Sequence, residues 1–252
     1  MTIKMNMKLV AAAACGLLLS SVAQAAEVKV LASGAIKEAA FELFPQFEKA
    51  SGNTVAVTWA GTVDIKKKIA AGEVFDLVIV ASPELDTFGK DGKIAAGSKV
   101  DLVRSAVGVA VKPGTPKPDL KSGDDLKKAL LAAKSVGYST GPSGVYMAGL
   151  IERMGIAAEI KPKHRGVPSG GTIGTIVASG DAEIGFQQVS ELVHIPGIDY
   201  IGPLPPDVQC VTIFSCGLQT GATQPNAAKA LVAFLTAPAA KNVMTKHGLE
   251  NT

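Results

Sequence analysis

The chain has 252 residues, of which 47% are hydrophobic and 19% charged, and its formal net charge is +3. That length admits one large domain or two lobes of about a hundred residues each, and the near-neutral balance, with no basic block, excludes the electrostatic footprint of a nucleic-acid binder. Three cysteines and three scattered histidines do not give the usual ligand spacing of a metal site, and no cofactor fingerprint is present.

Lys4 and Lys8 precede a mostly apolar stretch over 9–22, and Ala23-Gln24-Ala25 supplies the small-x-small pattern of a signal-peptidase site. Residues 1–25 therefore read as a secretory signal peptide, with the mature chain starting at Ala26. Cys15 lies inside the apolar core with Leu17, Leu18 and Leu19 after it, the wrong place for lipoprotein processing. Beyond residue 25 no apolar run approaches the roughly 20 residues needed to span a bilayer. The mature chain is expected in the periplasm, a monomer with no membrane insertion. Removing the leader takes away two lysines and no acid, so the charge falls from +3 to +1.

Strand-like runs then alternate with helical periodicity, the pattern of an α/β protein with mostly parallel sheets. A strand is expected over 28–31, and a helix over 36–50 burying Ala40, Leu43, Phe44 and Phe47, stopped by Ser51-Gly52-Asn53. A second strand spans 55–59, a helix over 63–71 turns Ile65 and Ile69 inward, and a third strand over 76–80 is apolar enough to be buried on both faces. An apolar segment over 103–111 ends at Lys112-Pro113-Gly114. A helix over 124–133, a strand over 136–139, a helix over 144–154, a strand-like stretch near Ile160, a helix ending at Ser179 and a strand over 182–186 build a second unit. Strands over 200–202 and 211–218 read as returning to the first unit, and helices over 224–235 and 238–247 close the chain. Residues 26–104 with 200–252 are thus expected to form one lobe and 105–199 the other, with a cleft between them. Cys210 and Cys216 span roughly 20 Å if the run between them is one straight strand, against a Cα separation below about 7 Å in a disulfide. They pair only if the chain folds back there.

Three strands end in small, hydroxyl- or glycine-bearing turns that open helices: Ala32-Ser33-Gly34, Ala60-Gly61-Thr62 and Gly141-Pro142-Ser143-Gly144. Ser169-Gly170-Gly171-Thr172 is a fourth such turn. A helix N-terminus has unpaired N–H groups and partial positive charge, so a Ser, Thr or Gly there either caps the helix or leaves room for an anion. One such cap is ordinary; four together point to an anion site at the carboxyl edge of the sheets.

The charged residues are read more plainly. Arg104 lies where the chain begins to cross between lobes, where it either grips a carboxylate with two parallel bonds or forms a surface ion pair. Lys66-Lys67-Lys68 point in different directions around one helix and read as a solvated face, and His164-Arg165 reads as an exposed loop.

The leader, the opening Val28-Lys29-Val30-Leu31-Ala32-Ser33, the Trp59-Ala60-Gly61-Thr62 junction, the run from Phe75 through Ala81 and the Gly141-Pro142-Ser143-Gly144-Val145-Tyr146 turn resemble the periplasmic molybdate-binding protein family across the whole mature chain. The resemblance implies the two-lobe periplasmic binding protein fold, each lobe a mostly parallel sheet flanked by helices. It also implies a role as the solute-binding protein of an ABC importer, with a permease and an ATPase as partners. By position it makes Ser33 and Thr62 hydroxyl ligands and Ser143 and Gly170 backbone donors, while Gln188 stands where the family has a tyrosine. Both Gln188 and Gly170 depart from the family pattern, which points away from a compact tetrahedral oxyanion and toward an organic di- or tricarboxylate.

Proteins similar to this family include aconitate isomerase, which interconverts trans- and cis-aconitate, so an enzyme on the same scaffold is the alternative. N–H groups that hold a carboxylate also stabilise an enediolate, and the remaining need is a general base within about 3 Å of the proton. His164, Glu191 and Glu84 are the candidates, and nothing in their spacing selects among them. Gly-x-Ser-x-Gly and His-Glu-x-x-His motifs are absent.

Overall fold

The computed structural model describes residues 25–252. The expected signal peptide, Cys15 included, lies outside the described residues apart from Ala25. In chain order the elements are β1 (Glu27–Ser33), α1 (Lys37–Ser51), β2 (Thr54–Ala60), α2 (Thr62–Ala70), β3 (Leu77–Ala81), α3 (Ser82–Lys90), β4 (Val100–Val111), α4 (Gly123–Ala132), β5 (Val136–Tyr138) and α5 (Pro142–Arg153). There follow α6 (Ala157–Ile160), β6 (His164–Arg165), α7 (Ile173–Ser179), β7 (Ile184–Gln188), α8 (Val189–Leu192), β8 (Asp199–Pro203), β9 (Val211–Leu218), α9 (Pro225–Thr236), α10 (Pro238–Lys246) and β10 (Glu250–Asn251).

Alternation along β1 and β3 builds two core layers at once. Val28, Val30 and Ala32 pack into one cluster with Leu77 and Ile79, while Leu31 joins Val78 and Val80 in a second. Side chains alternate across a strand, so a central strand covered on both faces must be apolar at every position. All five residues of β3 are buried accordingly. Each fully buried Val, Leu or Ile stabilises by about 1.5–3 kcal/mol. The buried residues of α1, Ala39, Ala40, Leu43, Phe44 and Phe47, recur at helical spacing and lay one stripe on the first cluster. The helix stops at Gly52, whose left-handed φ of 74° suits glycine and whose N–H donates to Glu48 O.

The strand order is β2-β1-β3-β9-β4-β7-β5-β6, with β8 and β10 also paired to β4. β1 runs parallel to β2 and β3, and β5 runs parallel to β6 and β7. The two parallel halves are joined by antiparallel strands. The 12-residue β4 pairs with β9 over its first part and with β7 and β8 from Val107 onward. The fold is therefore a two-lobed α/β protein, with β4 shared by both lobes.

Several expectations change in detail. The stretch near Ile160 is helical, since Ile160 ends α6 and buries in the second-lobe core. α3 and α8 are additional helices. β8 pairs with the second-lobe part of β4, and Leu204 packs in the second-lobe core, so the chain returns to the first lobe with β9 rather than at residue 200. Cys210 and Cys216 are both free, and burial pushes the Cys216 thiol up to about 12. Among the described residues, no helix is long and apolar enough to cross a membrane, and no cluster of His, Cys, Asp or Glu is arranged to hold a metal ion.

Candidate functional site

The turns at the ends of β1, β2 and β5 meet the turn before α7 between the two lobes. With β7 and α8 they line a narrow cleft, about 300 Å3 when open solvent at its mouth is counted and only about 20 Å3 of it open to a water molecule, lined by Ser33, Gly34, Gly61, Thr140, Gly141, Gly170, Gly171, Gln187 and Glu191 among others. Ser33 Oγ accepts from Ala35 N at 3.4 Å and caps the 3-10 turn over 34–36 that leads into α1. Gly61 and Gly141 occupy the cap positions of α2 and α5 with no capping side chain of their own. Their N–H groups donate instead to Ser169 Oγ and Ser139 Oγ, each at 3.1 Å. Helix starts with partial positive charge thus face a pocket whose lining contains no cation.

Several of these small residues are required by backbone contact. A Cβ on Gly170 would sit 2.8 Å from Trp59 O, and its φ of 75° is itself left-handed. A Cβ on Gly61 would collide with Thr140, and one on Gly144 would overlap the Ser139 backbone. Gly144 therefore serves the packing of α5 on the turn after β5, and is itself buried. The lobes also meet through Val63 N–H donating to Thr140 O at 3.4 Å. Ser169, besides accepting from Gly61, holds the Asp64 carboxyl below its usual range by hydrogen bonding, with help from Lys67.

Two hydroxyls are left without partners. Thr62 Oγ1 and Ser143 Oγ, in the first turns of α2 and α5, are buried and unbonded. A buried hydroxyl without a partner costs about 1–3 kcal/mol, and neither residue is in the lining of the pocket. Thr62 lines an adjoining, more apolar groove with Glu84, Val145, Tyr146 and Ile213.

Glu191 supplies the pocket's titratable group. Its side chain is partly accessible at the pocket surface while the carboxyl is enclosed by protein, and that burial raises its pKa to about 8, against the opposing hydrogen bond from Gln187 and the charge of Lys37. Gln187 Nε2 donates to Glu191 Oε1 at 2.8 Å, and Gln187 Oε1 accepts from Ile173 N at 2.6 Å. Gly34 leaves the space the carboxyl needs, since a Cβ there would lie 2.6 Å from Glu191 Oε1. The neighbouring Ser190 Oγ donates to Ala35 O at 2.8 Å and holds α8 against the first-lobe turn.

The remaining expected residues lie elsewhere. Gln188 is fully buried, and its amide, oriented to satisfy its neighbours, donates to Ser105 O at 2.9 Å and Ala106 O at 3.1 Å while accepting from Thr212. It fastens β7 to the connecting strands, while Gln187, one position earlier and so on the opposite face, lines the pocket. Arg104 is outside the pocket, half exposed, with Nε donating to Glu250 Oε2 at 2.9 Å. Glu84 pairs with Lys66 at 3.1 Å on the groove side. His164 stacks on Tyr138 with ring centroids 3.9 Å apart, and its Nε2 lies 3.0 Å from Tyr138 O, away from the pocket lining. Sequence reasoning did not single out Gln187; its one signal is a polar pair ending an otherwise apolar strand.

Comparison with known proteins places these features in context. A family model described as bacterial extracellular solute-binding protein matches residues 28–250. The chain is 35% identical to an aconitate isomerase of Pseudomonas sp, over 88% of this chain and 86% of that protein. It is 28% identical to the molybdate-binding protein ModA of Azotobacter vinelandii, over 96% of each chain. The solved structure of the Azotobacter vinelandii periplasmic molybdate-binding protein superposes with a TM-score of 0.74 at 16% identity, over 89% of this chain and 99% of that one.

Proposed function

The chain belongs to the bacterial extracellular solute-binding protein family, and from that premise we propose that it is a periplasmic receptor for a small organic anion, delivered to an ABC importer. The observation that carries this reading is the convergence of helix starts, with their partial positive charge, on a pocket whose lining has no cation. Such a site holds negative charge with dipoles and hydrogen bonds, and needs no counter-charge. In its acid form Glu191 donates to an anion oxygen, and the relative named aconitate isomerase favours an organic carboxylate as that anion. The leader over 1–25 accounts for export, and the permease and ATPase are the partners the family implies.

A second reading is favoured by Glu191 itself together with the relative named aconitate isomerase. A carboxyl that titrates near neutrality is suited to take and return a proton. In trans-aconitate, ionised Glu191 would remove a proton from the methylene carbon beside a carboxylate. The electron pair enters that carboxylate as an enediolate, stabilised by the N–H groups of the helix starts, and the double bond shifts as the same proton is returned to the far carbon of the allylic unit. Of the three candidate bases, only Glu191 lines the pocket.

One experiment separates the readings. The mature protein is incubated with trans-aconitate and followed by NMR, while thermal shift is recorded with molybdate, tungstate, sulfate, trans-aconitate and saturated tricarboxylates. Stabilisation by carboxylates without turnover supports the receptor. Formation of cis-aconitate, abolished in Glu191→Gln, establishes the isomerase. Stabilisation by molybdate alone removes the carboxylate reading.

A further inference from the structure

We propose that Glu191 determines which charge state the pocket accepts: held as an acid between Gly34 and Gln187, it donates a hydrogen bond to the bound anion, so that the pocket captures the anion together with one proton. This rests on the anion-receptor reading and specifies the chemistry of that same site.

The hydrogen-bond pattern fixes where the proton resides. Ile173 N–H can only donate, so the oxygen of the Gln187 amide must face it, at 2.6 Å. The Gln187 nitrogen therefore faces Glu191 and donates to Oε1 at 2.8 Å. With Oε1 accepting from Gln187, the proton of the acid belongs on Oε2, and the Gln188 backbone N–H also bonds the carboxyl. Gly34 is the residue whose missing side chain lets the carboxyl occupy this position.

The surroundings supply no ion pair to hold the carboxylate ionised. Glu191 is the one ionisable side chain lining the pocket. On α1, Lys37 and Glu38 act on it in opposite directions, and the Lys37 ammonium lies 5.8 Å from the Phe41 ring centre. On β4, Arg104 pairs with Glu250 and Asp101 accepts from Ser215. Just beyond α8, His194 contacts His247, which also reaches Glu42. β7, α7 and the turn over 34–36 contribute no charged side chain. An ionised Glu191 would place a bare negative charge beside the bound anion, whereas the acid form replaces repulsion with a charge-assisted hydrogen bond.

The test is calorimetric binding of tricarballylate, a saturated tricarboxylate that has no double bond to move and whose carboxyls stay ionised across the range used. Affinity is measured from pH 6.5 to 9.5 for the wild type and Glu191→Gln, with circular dichroism confirming that both are folded. At pH 9 the titration is repeated in two buffers of different ionisation heat to count protons. The expected result is a wild-type affinity that weakens about tenfold between pH 7 and pH 9, uptake approaching one proton per anion at pH 9, and a pH-independent affinity in Glu191→Gln. Measurable binding with no pH dependence, or the same slope in Glu191→Gln, overturns the proposal and leaves the receptor reading standing. Failure of tricarballylate, trans-aconitate and molybdate to bind at every pH overturns the receptor reading and this proposal with it.

Discussion

On the groove side of the Gly61-Thr62 junction, Glu84 meets the Lys66 ammonium at 3.1 Å with a quarter of its side chain exposed. On the pocket side, Glu191 has a carboxamide for a neighbour, and burial holds it largely protonated at neutral pH. The two glutamates are equivalent as letters in a sequence and differ in their partners. An ion-paired carboxylate at the surface contributes little to stability, while burial of a carboxyl that has only an amide beside it raises its pKa. The difference lies in the neighbours: Lys66 beside Glu84, and Gln187 and Gly34 beside Glu191.

The contrast breaks most sharply on the pH dependence of folding. Because the Glu191 pKa is raised from 4.5 to about 8 by the fold, the unfolded chain releases this proton first as pH rises. The contribution of the group is fully present below about pH 4.5, declines through the window up to about 8 and then levels off, a loss on the order of several kcal/mol. Urea unfolding at pH 5 and pH 8 should show this decline in the wild type and a much flatter response in Glu191→Gln. Parallel curves would mean that the carboxyl is solvated after all.

Thr62→Val comes next. It removes an unpartnered buried hydroxyl on the groove side of the junction, so folding should hold or improve by about 1–3 kcal/mol with anion affinity unchanged. A loss of stability would mean that the hydroxyl has a partner in solution. In Gly34→Ala the methyl meets Glu191 Oε1, the end of a side chain that can turn aside, and the expected cost is at most about 1 kcal/mol of stability. A double-mutant cycle with Glu191→Ala tests the cause, because the cost should vanish once the carboxyl is gone. The smallest effect is expected from Glu84→Gln, within about 0.5 kcal/mol and with no change in the pH response.

Much of the fold was legible because periodicity is a local signal. The apolar runs of β1 and β3, the stripe of α1 and the strand-to-helix junctions follow from spacing alone. α3 carried its own signal, a proline in the first turn at Pro83, but the preceding buried strand dominated the reading. α8 is only four residues long, too short to show a period. The site was legible as a set of helix starts, and Ser33, Gly34, Gly61, Gly170 and Gly171 do line the pocket. Glu191 could not be separated from Glu84 and His164, because its neighbours Gly34 and Gln187 come from different lobes. Resemblance drew attention to Gln188, whereas strand alternation turns Gln187 to the pocket and Gln188 to the connecting strands.

The most direct measurement of the central claim is a crystal structure of the mature protein with tricarballylate. The account predicts a carboxylate in the pocket, with its oxygens within about 3.2 Å of helix-start N–H groups and of Glu191 Oε2. An anion bound instead in the groove beside Glu84, or at Arg104, with the pocket left unoccupied, would contradict it.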